Sequence, residues 1–234
     1  MDIRRLEWDS VFFGLRIGRA DVCSIGELQQ LSNKVLSLKK EYDLLYVFIH
    51  KDIDGTLLEW EQQGAKLVDN KTVYIKNVSA NKNDQNVKLY SAVVPDVDLY
   101  RLSIASGVYS RFKTDDRMPR GSFERLYNRW IEGSCSGELA NAIFVHKGYS
   151  VDGLVTVSWD QRDAAIGLVA VDEDVRGHGI GSRILQTMEN YLATHTKTQK
   201  ISVATQYSNT PARRLYEKNG YTIESITNIY HWWM

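Results

Sequence analysis

The sequence has no surplus of charge: across 234 residues, 29 lysines and arginines meet 29 aspartates and glutamates. That balance excludes adhesion to nucleic acid or a membrane surface through bulk charge, so any polyanion must be held by local geometry. Cysteine is scarce. Cys23 and Cys135 lie far apart in no CxxC or Cys/His spacing, and read as two buried or half-buried free thiols of a reducing compartment. The five histidines, at 50, 146, 178, 195 and 231, share no metal-ligand spacing, so no metal is expected. No apolar run approaches the length of a membrane span, and MDIRRLEWDS lacks an apolar signal core, so the expected location is cytoplasmic. Repeats and low-complexity tracts are absent as well.

What is present is an alternation of strand and helix periodicities. Residues 17–22 are strand-like, Leu28, Leu31, Val35 and Leu38 recur at helical spacing, and LLYVFIH (44–50) suits a buried strand. A helix is expected near Leu57 to Gln63, then two strands, AKLVD and TVYIK, on either side of an Asp-Asn-Lys turn. The polar string NVSANKNDQN (77–86) reads as a linker, which divides the chain into residues 1–80 and 86–234. Beyond it come a strand at 87–94, a helix from Asp96 to Ser106, a loop (SRFKTDDRMPRG), and a helix with an apolar face of Phe123, Leu126, Tyr127, Trp130 and Ile131. A hairpin (141–146 and 150–158) and a strand (164–171) follow. After the loop beginning at Arg176, a helix presents Ile180, Ile184, Leu185, Met188, Tyr191 and Leu192 on one face. Strand 201–205, helix 210–219 and strands 221–226 and 228–233 complete an α+β, mixed α/β pattern.

Two stretches carry chemistry. In VRGHGIGSRIL (175–185), Gly177, Gly179 and Gly181 lie between a strand and a helix start. A helix start exposes unpaired N–H groups and partial positive charge, and glycines let an anion come close. The same spacing also fits a plain turn, and it matches neither G-x-G-x-x-G nor a Walker A loop. The second stretch, ISVATQYSNTPARRLYEKNGY (201–221), has Asn209 as a helix N-cap, Pro211 near the first helical position, and a Gly220 stop. Asn209, Ala212 and Tyr216 stack along one helix face.

Together the two stretches resemble the GCN5-related N-acetyltransferase (GNAT) family. Its loop pattern Arg/Gln-x-x-Gly-x-Gly/Ala is matched by Arg176, Gly179 and Gly181, and its Asn-x-x-Ala-x-x-x-Tyr-x-x-x-Gly-Phe/Tyr pattern by Asn209, Ala212, Tyr216, Gly220 and Tyr221. The resemblance implies a central mixed, mostly antiparallel sheet flanked by helices, with acetyl-CoA as donor. The amides of Arg176, Gly177, His178, Gly179, Ile180 and Gly181 would hold the pyrophosphate. The backbone of Leu168, Val169, Ala170 and Val171 would pair with the pantetheine arm, which Asn209 would also bind. A backbone N–H of strand 166–170 would stabilise the oxyanion, and Tyr216 would protonate the leaving thiolate. Taken alone, Tyr216 also reads as a core aromatic.

LEWDSVFFGLRIG, QQGAKLVDNKTVYIKN, YSRFKTD and YNRWIEGS extend the likeness to nucleotide-sugar acetyltransferases, nearest to those acting on TDP-4-amino-4,6-dideoxygalactose. That implies a partial GNAT-like domain over residues 1–80. It also implies a base at Asp69, whose other reading is a turn residue. Arg111 and Phe112 would meet the sugar nucleotide, the alternative being a solvated loop arginine. Trp8, Phe12 and Phe13 read as core packing. A peptide- or small-amine acetyltransferase and a non-catalytic acyl-CoA sensor are the competing functions; a homodimer is the assembly that general frequency favours.

Overall fold

The computed structural model describes residues 2–50 and 58–234. The chain falls into two compact units: Met1–Thr72 with Ser225–Met234, and Val73–Glu224.

The first unit contains β1 (Ile3–Arg5), α1 (Glu7–Phe13), β2 (Ile17–Val22), α2 (Ile25–Glu41), β3 (Leu44–His50) and α3 (Leu58–Gln62). It also holds the beginning of β4 (Ala65–Asn77) and most of β10 (Thr222–Trp233). β1 pairs antiparallel with β2, β2 parallel with β3, and β3 antiparallel with β10. The crossover between the parallel pair is α2, which starts on Ser24: its Oγ accepts the Glu27 N–H while Glu27 Oε2 accepts that of Cys23. Leu28, Leu31, Val35 and Leu38 bury themselves with Leu45, Val47 and Ile49 of β3. Trp60 joins that core, donating from Nε1 to Ser32 Oγ at 2.7 Å and packing on Trp232 at 4.6 Å. The expected start of α3 at Leu57 lies outside the described residues.

Two expected breaks do not occur. β4 runs unbroken through Asp69-Asn70-Lys71, and β10 unbroken through Thr227-Asn228, where a turn and a gap were expected. The reason lies in one side-chain pair. Asn70 Nδ2 donates to Asn228 Oδ1 at 2.7 Å, so the two amides satisfy each other rather than folding back on their own backbones. Trp8 and Phe12 also differ from expectation. Only Phe13 of that trio is core; Trp8 is 49% exposed and stacks on Phe12 at the surface. Cys23 is an exposed thiol and Cys135 a half-buried one, neither in a disulfide.

The second unit contains the end of β4, β5 (Val87–Leu89), α4 (Val97–Ser106), α5 (Arg111–Thr114), α6 (Ser122–Cys135), β6 (Ala142–Lys147), β7 (Val151–Trp159) and β8 (Asp163–Val171). α7 (Ile180–His195), β9 (Lys200–Gln206), α8 (Thr210–Lys218) and the first residues of β10 follow. β5 through β8 form an antiparallel meander; β9 joins β8 in parallel, with α7 as the crossover. Ile180, Ile184, Leu185, Met188 and Leu192 of α7 share a core with Phe144, Val155, Val157, Ile166, Ile201 and Val203. The polar string at 77–86 is tied down, with its polar groups in use. Val78 N–H donates to Gln199 O, Asp84 N–H to Thr187 Oγ1, and Asn81 Nδ2 to the buried Glu189. The unit boundaries accordingly fall inside β4 and β10, and the composition shift lies within the second unit.

Candidate functional site

The site begins with a fault in the sheet. Between β7 and β8 the register shifts, so Gly167 and Leu168 of β8 oppose Thr156 alone. Thr156 fills the fault: its Oγ1 accepts the Leu168 N–H at 2.8 Å, and it lies 2.7 Å from where a Cβ on Gly167 would be. β8 pairs with β9 only over Asp163–Ile166, so Gly167–Val171 has no β9 partner on that edge. Direction follows from alternation. The N–H groups of Leu168 and Asp172 both point to β7, the latter donating to Asp152 O. With period two, the N–H and C=O of Val169 and Val171 point to the open edge. Leu168 is buried and its amide already used, and the backbone donors of this stretch that face the open edge are those of Val169 and Val171.

After β8 the chain makes a 3-10 turn, Glu173–Val175, closed by Asp172 Oδ1 accepting the Asp174 N–H. The Asp172 carboxyl is held below its ordinary range by that bond and, less strongly, by Arg101. Arg176 then reaches back from Nε to Val171 O at 3.0 Å, leaving its two Nη groups without a hydrogen-bond acceptor among the described residues.

The loop owes its shape to glycine. Gly177 (φ 84°) and Gly179 (φ 77°) lie in the left-handed region, where a side chain costs about 1–2 kcal/mol. Gly179 is the N-cap of α7 and has no side chain to satisfy the amides that follow. Among the described residues nothing accepts from the N–H groups of residues 177–182; the first intrahelical bond is Arg183 N–H to Gly179 O. A run of free amides at the positive end of a 16-residue helix has the chemistry to accept an anion. Gly181 lets α8 approach: a Cβ there would sit 3.1 Å from Leu215.

α8 forms the facing wall. Asn209 caps it, Oδ1 accepting the Ala212 N–H at 3.2 Å, a bond worth about 1 kcal/mol. The cap uses the oxygen and leaves Nδ2 free to donate. At the other end Asn219 Nδ2 donates to Leu215 O and to Ser182 Oγ, which fastens α8 to the first turn of α7. Between them lies a cleft of about 410 Å³, lined by Val169, Ala170, Val171, Arg176, Gly177, Gly179, Ile180, Gly181 and Asn209. The end of α4 and the residues after it (Ala105, Ser106, Val108, Tyr109) and one stripe of α8 (Pro211, Arg214, Leu215, Lys218) also line it. These last two groups were not foreseen from the sequence, although the 0, 3, 4, 7 spacing of the α8 stripe was there to read.

Leu168, His178 and Tyr216 are not among the lining residues. His178 is exposed, its Nδ1 3.2 Å from Val175 O. Tyr216, 3% exposed, packs between the rings of Tyr74 (5.7 Å) and Tyr221 (5.9 Å). Burial holds its phenol well above the ordinary range, and its hydroxyl makes no hydrogen bond with any described residue. It is thus a protonated donor at any physiological pH. Tyr74 is itself clamped, donating to Glu217 Oε1 at 2.7 Å and accepting from Arg213 Nε at 3.3 Å.

The remaining candidates lie elsewhere. Asp69 is half-buried in mid-β4 in the first unit, in extended strand. Arg111 and Phe112, expected in a loop, open the short helix α5 on a Ser110 cap. Phe112 packs edge-on to Trp130, and Arg111 lies 4.6 Å over the Phe112 ring. Neither lines the cleft. His146 is buried and paired with Asp152 at 3.3 Å. Among the described residues no group of three His, Cys, Asp or Glu side chains is placed to hold a metal, and no helix is long and apolar enough to cross a membrane.

Residues 115–221 match the family described as Acetyltransferase (GNAT) family. That span encloses the β8 fault, the glycine loop and all of α8. Over 226 residues the chain is 28% identical to dTDP-fucosamine acetyltransferase of Escherichia coli O6:H1, covering 95% of this chain and 94% of that protein. It is 28% identical over 125 residues to the spore coat polysaccharide biosynthesis protein SpsD of Bacillus subtilis (strain 168), 53% of this chain and 43% of that protein. A GCN5-related N-acetyltransferase from Sphaerobacter thermophilus shares the fold, with a TM-score of 0.53 and 18% identity over 87% of this chain and 65% of that one. The part of the chain that is similar to the GNAT family thus holds both the glycine-loop helix start and the asparagine-capped helix that faces it.

Proposed function

We propose that this protein transfers the acetyl group of acetyl-CoA to the amino group of a TDP-linked amino sugar. The observation that carries the donor half is the run of unpaired amides at residues 177–182, opening onto a cleft whose other wall is α8. The acceptor half rests on the near full-length relationship to a dTDP-fucosamine acetyltransferase.

Acetyl-CoA supplies the activated acetyl group, and the chain's residues bind, orient and protonate. The amides of residues 177–182 and the free Nη groups of Arg176 hold the pyrophosphate. Val169, whose N–H and C=O face the open edge of β8, pairs with the amide-bearing arm and offers a donor to negative charge on the thioester oxygen. Asn209 Nδ2 adds a second donor to that arm. Tyr216 gives its proton to the departing thiolate, a role suited to a phenol that burial keeps neutral and that no protein acceptor occupies. Asp69 is assigned as the base that removes the ammonium proton through water. The reaction is placed in the cytoplasm, the compartment that unpaired thiols suit.

The test is a panel of acceptors incubated with acetyl-CoA and the purified protein, with products resolved by mass spectrometry. The reading expects one acetyl group to appear on a TDP-amino sugar, and acetylation of peptides or polyamines alone would overturn it. Within the productive reaction, Asp69→Asn should remove the acidic limb of the kcat/KM–pH profile.

A further inference from the structure

Beneath the glycine loop, the cleft holds two cations that the pyrophosphate does not require. Arg214 and Lys218 both line it, one turn of α8 apart, on the same stripe as Pro211 and Leu215. Other cations near the loop are engaged: Arg176 Nε by Val171 O, Arg183 by Asp84 and by His178 O, and Arg213 by Tyr74 and Tyr207 O. Arg214 and Lys218 make no hydrogen bond or ion pair with any described residue. Leu215, between them, touches the first turn of α7 at Gly181, which fixes their stripe beside the free amides.

The charge count then points past the pyrophosphate. Six amides, the N-terminal end of α7 and the Nη groups of Arg176 already answer a diphosphate. The second pair extends along α8 by about 6 Å, at 1.5 Å per residue. Two free cations at that spacing match a separate phosphate monoester, which carries close to two negative charges and three acceptor oxygens. Resting on the acetyl-CoA reading above, we propose that Arg214 and Lys218 form a subsite for the 3′-phosphate of the CoA adenosine. The enzyme then selects CoA thioesters over the same thioester arm lacking that phosphate.

The experiment is calorimetric titration of the full chain with CoA and with 3′-dephospho-CoA, for the wild type, Arg214→Ala, Lys218→Ala and the double variant. No acceptor is needed, so the outcome is independent of which amine is acetylated. Wild type should prefer CoA by about tenfold to a hundredfold, as expected for charge-assisted contacts. The double variant should bind both ligands alike, at the wild-type affinity for 3′-dephospho-CoA, and should lose part of the salt dependence of CoA binding. Arg214→Gln with Lys218→Gln should repeat that result and separates charge from helix effects. Equal weakening of both ligands in the variants would assign the cations to the pyrophosphate and overturn the subsite. Equal affinity of wild type for both ligands would overturn it as well, while leaving the acetyl-CoA reading standing. Wild type binding neither would overturn both.

Discussion

The two units handle unsatisfied polar groups in opposite ways. In the first, polar side chains are matched within the fold: Asn70 with Asn228, Trp60 with Ser32, Ser24 with Glu27, Arg16 with Asp43. In the second, a run of amides from 177 to 182, the outward edge at Val169, the Tyr216 hydroxyl, and the Arg214 and Lys218 side chains are left without partners. Gly177, His178, Gly179, Arg214 and Lys218 are open to water, whereas Val169, Ile180, Gly181, Ser182 and Tyr216 are buried or half-buried, where a donor without an acceptor costs about 1–3 kcal/mol. Their concentration along one cleft marks where a ligand supplies what the protein withholds.

That contrast predicts a division of mutational effects. The largest concerns the first unit. Trp60→Ala should lower unfolding free energy by about 3–5 kcal/mol in urea titration, because it opens a cavity beside Trp232 and Tyr230. It should leave the acetyl-CoA affinity of the folded protein unchanged. Tyr216→Phe should do the reverse. The hydroxyl bonds to no described residue, so stability should hold while kcat falls about 10²- to 10³-fold at unchanged acetyl-CoA KM. A stability loss matching the activity loss would break the comparison, by making Tyr216 a core residue only.

Gly179→Ala should weaken acetyl-CoA binding by about tenfold, through strain in a left-handed position and loss of close approach. Its effect on binding should exceed its effect on the unfolding midpoint.

The smallest effect is a pH dependence. Burial, with a contribution from Asp96, pushes the Cys135 thiol up to about 11. The unfolded chain would lose that proton at lower pH than the folded one. Cys135 therefore favours the fold fully below the ordinary thiol range, and its contribution shrinks as pH rises through it towards 11. Labelling at pH 8 should modify the exposed Cys23 first, and Cys135 only at strongly alkaline pH or on unfolding.

The same contrast explains what could be read in advance. The glycine loop and the α8 cap are local chemistry: positive φ demands glycine, and a helix cap demands a short polar side chain, so both leave marks in sequence. Strand continuity through Asn70 and Asn228 was hidden, because each reads as a turn signal until its partner 158 positions away is known. Thr156 was invisible for a similar reason. Its hydroxyl matters only because the register of β7 and β8 shifts at that point, and no local pattern announces the shift. Arg111 and Phe112 were read as a loop facing substrate, but the Ser110 cap and the Trp130 ring draw them into a short packed helix.

The central claim is that the amides of residues 177–182 are unpaired because an anionic cofactor completes them. Backbone amide NMR during titration with acetyl-CoA tests it most directly. The account predicts large shifts at Gly177–Ser182 and Val169, with hydrogen exchange slowing at the same amides. Saturable binding that leaves those resonances unmoved would contradict it.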